Sequence, residues 1–232
     1  MFRYVLVRAS EYPLLDSGQA WPGFLSSRED AILAGLEFLP RRRKWLLGRA
    51  AAKRLVRQLS GPQPVAEAGI SVLNRPSGEP FVLVEGRGEW EFPISISHRS
   101  EVGLAAVPED RGARIGADIE TVEPRDPALV RQFFTSGEAE LVVANGKAAD
   151  EVVARIWSAK EAVLKLLGLG LRLDTRGIAV NLHGEPFLEC PAGWQPLAVK
   201  VGVEAPAPPV SRLLRVVWRY EANHVLTVAV AG

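Results

Sequence analysis

The stretch Ala154–Gly170, A-R-I-W-S-A-K-E-A-V-L-K-L-L-G-L-G, constrains the fold more than any other. Val152, Ile156, Ala159, Val163 and Leu167 recur at helical spacing and make an apolar stripe. Gly168 and Gly170 are stop signals at its end. Glu161 and Lys165 stand four apart on the far side of the stripe, where their side chains can meet. Lys160 falls inside the apolar sector, and a buried ammonium needs a carboxylate or carbonyl partner. Two readings stay open for this helix. It is a core helix with one surface ion pair, or Glu161 and Lys165 face a cleft formed by the rest of the chain.

The chain of 232 residues suits one or two compact units. A formal net charge of +1 gives no global field toward nucleic acid or membrane, so any phosphate must be held by a local cluster. The single cysteine, Cys190, excludes an internal disulfide and a cysteine-based metal site. Three histidines, His98, His183 and His224, argue against a zinc site of the usual kind. The opening M-F-R-Y-V-L-V-R has too short an apolar run for a signal peptide, and no stretch is long enough to span a bilayer. The expectation is a cytoplasmic monomer.

Along the chain, strands are predicted at Tyr4–Val7, Ile70–Leu73, Phe81–Val84, Ile94–His98, Val102–Val107 and Ile115–Glu120, and helices at Leu25–Leu36, Pro127–Phe134 and Ser136–Val143. Thr135-Ser136-Gly137-Glu138 carries a capping signal. Further strands are predicted at Ile178–Asn181, Phe187–Glu189, Leu197–Val203, Leu213–Arg219 and Val225–Val230, with Glu204–Val210 a stiff connector. Strands cluster rather than alternate with helices, which points to an antiparallel α+β architecture. Each half reads as strand, helices, then several strands, with the join near 108/109. Identity between the halves is too weak to identify a repeat from the sequence.

A helix is predicted after Pro40, with Leu46, Leu47, Ala50, Ala51, Leu55 and Leu59 as its buried stripe. Arg41, Arg42, Arg43 and Lys44 crowd its first turn, where positive charge opposes the helix dipole unless an anion is near. These are solvated charges or a phosphate clamp. An RNA surface would need a wider basic and aromatic platform, which is missing. In Ile115–Glu120, alternation puts Gly116, Asp118 and Glu120 on one face. Two neighbouring carboxylates repel unless a cation lies between them, and a hard divalent ion suits their oxygens. The face is an exposed polar edge or a metal site, with Gly116 leaving room for a ligand to approach.

Three motifs stand in order: I-S-I-S-H at 94–98, I-G-A-D-I-E at 115–120 and W-S-A-K-E-A-V-L-K at 157–165, with F-F-T-S-G-E at 133–138 between the last two. Together with R-R-R-K-W-L-L-G-R, they resemble the 4′-phosphopantetheinyl transferase superfamily, in its larger surfactin-synthetase-activating type. The resemblance covers nearly the whole chain and fades after about Asp174. It implies a pseudo-dimeric α+β fold of two similar halves, residues 1–108 and 109–232, with coenzyme A bound in a cleft between them. The implied reaction moves the phosphopantetheine arm of coenzyme A to a serine of an apo acyl, peptidyl or aryl carrier protein, with Mg²⁺, and releases adenosine 3′,5′-bisphosphate. No nucleic-acid or membrane partner is implied.

By motif position, the resemblance makes Asp118, Glu120 and Glu161 the metal ligands. Glu161 is also the candidate base for the carrier serine, and Lys165 stabilises the leaving phosphate. Ser97 and His98 meet the phosphates of coenzyme A, and Arg43 or Lys44 grips the 3′-phosphate. The family usually has a lysine within G-K-P where this chain has Gly78-Glu79-Pro80; Arg75 is its substitute. Such a reaction asks mainly for positioning and charge neutralisation. A serine hydroxyl needs a base within hydrogen-bond reach. The competing expectation is a non-catalytic coenzyme A or nucleotide-binding protein on the same fold.

Overall fold

The computed structural model describes residues 1–61, 65–169, 173–182, 190–202 and 214–232. The predicted strand Phe187–Glu189 and connector Glu204–Val210 lie outside them. The chain divides into two compact units, Phe2–Arg111 and Gly112–Gly232. No helix among the described residues is long and apolar enough to cross a membrane.

The first unit runs β1 (Phe2–Arg8), α1 (Ser27–Ala34), α2 (Leu39–Leu59), β2 (Ile70–Asn74), β3 (Pro80–Val84), β4 (Gly88–Glu89), β5 (Ser95–Arg99) and β6 (Val102–Pro108). Its strands form two antiparallel sheets, ordered β1-β6-β5 and β2-β3-β4. Helix α2 packs on the first sheet through Leu46, Leu47, Ala50, Ala51 and Leu55, all buried. Leu59, expected in that stripe, is 37% exposed, because the helix ends there and Ser60 caps it. The backbone comes close where side chains are absent. A Cβ at Gly103 of β6 would stand 2.7 Å from the carbonyl of Leu47.

The second unit runs β7 (Arg114–Thr121), α3 (Pro127–Phe133), α4 (Ser136–Ala144), α5 (Ala149–Leu167), β8 (Ile178–Asn181), β9 (Gln195–Val201), β10 (Arg215–Glu221) and β11 (His224–Ala231). Its sheet is ordered β7-β11-β10-β9-β8, and every pairing is antiparallel. The predicted stripe of α5, from Val152 to Leu167, is buried throughout. Gly168 ends the helix in the left-handed region at φ 69°, its N–H closing on the carbonyls of Leu164 and Lys165.

Both units are built on one local device. In the first, Ser26 caps α1 and Glu29 returns the bond, which forms a capping box. Glu29 is fully buried, accepts the N–H of Val72 in β2 at 3.0 Å, and pairs with Lys53 of α2 at 2.6 Å. In the second, Thr135 and Glu138 form the box on α4. Glu138 accepts the N–H of Val180 in β8 at 2.8 Å and pairs with Lys160 of α5 at 2.9 Å. Each lysine is fully buried and also donates to two backbone carbonyls: Phe24 and Glu67 for Lys53, Thr175 and Ile178 for Lys160. Both units therefore repeat this device. The sequence trace is short: F-L-S-S-R-E at 24–29 against F-F-T-S-G-E at 133–138, and Ala52-Lys53 against Ala159-Lys160.

Candidate functional site

In the second unit the site residues come from β7 and α5. Gly116 decides how close these elements lie. A Cβ there would fall 1.8 Å from the carbonyl oxygen of Ala162 and 2.5 Å from the N–H nitrogen of Leu166. The room that Gly116 leaves is filled by the backbone of α5, and not by a ligand as the sequence suggested. Seating the helix there buries Asp118 and Glu120, at 4% and 8% exposure, so the exposed-edge reading of this strand face fails.

Lys165 does not pair with Glu161. Its ammonium donates to Asp118 Oδ1 at 2.7 Å and to the carbonyl of Ala117 at 3.0 Å. Glu120 Oε2 accepts from Arg125 Nη2 at 2.6 Å. Glu161 has its carboxyl pushed above the usual carboxylate range, first by burial and then by the negative charge of Asp118, with Glu120 adding to it and Lys165 opposing. Asp118 and Glu120 therefore lie near enough to Glu161 for their charges to act on it. The oxygens of all three are the donor set a hard divalent ion takes, and their mutual repulsion is what such an ion relieves. They fit the ion by chemistry, but not yet by arrangement: among the described residues no group of three or more His, Cys, Asp or Glu is gathered closely enough to hold a metal.

In the first unit the basic first turn of α2 is only partly available. Arg42 is structural, its guanidinium donating to the carbonyls of Gly18, Leu33 and Leu36. Arg43 pairs with Asp16 at 2.7 Å and with Glu101 at 3.3 Å. Lys44 forms no ion pair among the described residues. Arg43 and Lys44 line a cavity of about 200 Å³ with Pro40, Leu47, Ser100 and Glu101. One turn past Lys44, a Cβ at Gly48 would stand 3.1 Å from Ile96 and 3.9 Å from the His98 ring, which puts His98 beside the same helix. His98 is exposed, whereas Ser97 is buried on the opposite side of β5. Arg75 is engaged with partners of its own. It is ion-paired to Glu89 and lies over the Phe81 ring at 4.5 Å.

Sequence reasoning passed over Ser100 and Glu101 in the β5–β6 turn, and Arg125. The signal for Arg125 was E-P-R-D-P, where two prolines hold an arginine five residues beyond Glu120.

Comparison with known proteins bears on the segments of the second unit. Residues 114–226 match the family model described as the 4′-phosphopantetheinyl transferase superfamily. The 4′-phosphopantetheinyl transferase psf-1 of Bacillus pumilus is 26% identical over 180 residues, which cover 76% of this chain and 73% of that protein. The 4′-phosphopantetheinyl transferase ffp of Bacillus subtilis is 29% identical over 110 residues, 46% of this chain and 48% of its own length. The 4′-phosphopantetheinyl transferase Sfp of Bacillus subtilis strain 168 is 30% identical over 89 residues, 37% of this chain and 40% of its own. The matched segments thus span from under half to about three-quarters of these relatives.

Proposed function

The chain belongs to the 4′-phosphopantetheinyl transferase superfamily, and from that premise we propose that it transfers the phosphopantetheine arm of coenzyme A to a serine of an apo carrier protein, with release of adenosine 3′,5′-bisphosphate. The observation that carries the reading is the patch of Asp118, Glu120, Glu161 and Lys165 where α5 lies on β7.

Asp118, Glu120 and Glu161 are the residues that would hold Mg²⁺. Bound there, the ion would neutralise charge on the pyrophosphate and stabilise the leaving phosphate. Lys165 adds a compact positive charge that Asp118 and the Ala117 carbonyl hold in place. Its role is to meet the charge that grows on the leaving phosphate. Burial and the neighbouring acids raise the proton affinity of Glu161 while no cation is near, and a bound ion would lower it again, so its first role is as a ligand to the ion. The serine proton passes to Glu161 or to a water beside it as the hydroxyl oxygen attacks the phosphorus and the bond to adenosine 3′,5′-bisphosphate breaks. In the first unit, Lys44 suits the 3′-phosphate better than Arg43, whose charge is already met by Asp16 and Glu101. His98 beside α2 serves the remaining phosphates. Arg75 is a poor substitute for the lysine that Glu79 replaces, because Glu89 already neutralises it.

Glu79 favours the second reading, a non-catalytic coenzyme A-binding protein. One assay separates the two. Wild-type protein with coenzyme A, Mg²⁺ and a panel of apo carrier proteins is expected to add one phosphopantetheine arm to a carrier, read by intact-protein mass. Glu161→Gln is expected to abolish the gain while still binding coenzyme A. A wild type that binds coenzyme A and modifies no carrier would establish the second reading.

A further inference from the structure

Arg125 lies in the connection between β7 and α3, and this connection is fixed at several points. Pro124 and Pro127 restrict its backbone. Asp126 caps α3 by accepting the N–H of Ala128 at 2.8 Å. Val122 is tied to Asn223 in the β10–β11 turn by two hydrogen bonds. From this rigid loop Arg125 Nη2 reaches Glu120 Oε2 at 2.6 Å and the carbonyl of Thr121 at 3.0 Å. Glu123 is a looser neighbour at 3.7 Å. The side chains of Arg125 and Glu120 are only 14% and 10% exposed, so water screens the pair weakly.

The three acids of β7 and α5 therefore do not start as equals. Asp118 faces an ammonium on a flexible stem, whereas Glu120 faces a guanidinium whose loop and backbone bond hold it in place. A preorganised partner gives up little entropy in keeping its bond, so it competes strongly.

We infer that Arg125 is a positioning residue that holds Glu120 back from the divalent ion, so that Glu120 becomes a ligand only when the ion displaces this guanidinium. The inference rests on the proposed metal site, and it concerns how readily that site loads. Removing the guanidinium then removes a competitor that the ion would have to displace.

The test uses the full chain with coenzyme A present, titrated with Mn²⁺ and followed by the loss of the free-ion paramagnetic resonance signal. Arg125→Gln is expected to bind Mn²⁺ about tenfold more tightly than wild type. The gain should vanish when Glu120→Gln is added. Arg125→Lys keeps the charge but places it on a more flexible stem without the planar, preorganised fork, and is expected to show a smaller gain; it serves if Arg125→Gln does not fold. Unchanged or weaker Mn²⁺ binding in the folded variants overturns the inference, since it would make Arg125 a support for Glu120 and not its competitor. Carrier modification by the wild type is measured alongside. Modification with unaltered Mn²⁺ affinity in the variants sinks only the role of Arg125, whereas no Mn²⁺ binding and no modification by any of the proteins sinks the proposed function as well.

Discussion

Burial raises the proton affinity of Glu161, Asp118 and Glu120 raise it further, and Lys165 opposes them without offsetting the rest. Such a carboxyl strains the fold whenever it is ionised. Its folded-state pKa lies above the unfolded value, so its contribution to stability is complete below about pH 4 and is lost as pH rises through the folded value. Glu161→Gln removes the charge and keeps the shape. In chelator-treated protein, the variant is therefore expected to melt with the wild type near pH 4 and increasingly above it toward about pH 8, in scanning fluorimetry across that range. A variant that melts below the wild type at neutral pH would show that the carboxylate is well compensated and unsuited to act as a base. The sequence singled out these acids as candidates, because a two-residue spacing on a strand and a helical motif are local signals. It did not reveal how their charges are met. Lys165 chooses Asp118 over its helical neighbour because α5 sits so close to β7, and that closeness depends on a glycine in another element.

Elements read well from the sequence where a periodic stripe and a cap coincide. The Thr135–Glu138 box and the stripe of α5 are both found in place, and Lys160 has the buried partner that its position required. The burial of Lys53 is not legible in this way. This lysine stands in a run with Arg49, Arg54 and Arg57, and such a run looks like a solvated face. The carboxylate that draws it inside is Glu29, on another helix, and pairing across that separation leaves no periodic trace. The same blindness hid the internal repeat, whose common features are a capping glutamate, a buried lysine and a strand N–H, and hardly any other residues. In each unit the pair ties two helices and a strand together, so removing one partner leaves a charge buried without its counter-ion. Lys53→Met and Lys160→Met are each expected to cost about 3–5 kcal/mol in chemical denaturation. A loss under about 1 kcal/mol in either would mean that the glutamate takes up a proton or finds water, and that the pair does not hold its unit together.

For the whole molecule, a formal charge of +1 leaves no long-range field to gather a polyanionic ligand, so recognition depends on small local groups. Those proposed for coenzyme A are of two kinds. Lys44 and His98 offer charge and hydrogen bonds that need no metal, whereas Asp118, Glu120 and Glu161 repel a pyrophosphate unless a divalent ion is present. Ligand stabilisation should therefore have two separable parts. A ligand at a hundred times its Kd stabilises the native state by about 2.7 kcal/mol, and for a chain of this size each kcal/mol is worth about 2–4 °C in Tm. Coenzyme A with a chelator is expected to raise Tm by part of that amount, and Mg²⁺ to supply the rest. Lys44→Ala should diminish the chelator-resistant shift. Glu161→Gln should remove the Mg²⁺-dependent increment and leave the chelator-resistant shift, or even enlarge it, since a negative charge beside the pyrophosphate has gone. A shift of equal size with and without Mg²⁺ in the wild type would detach the carboxylates from coenzyme A. The acids of β7 and α5 would then be a buried charge cluster held by Lys165 and Arg125, with no part in the ligand's chemistry.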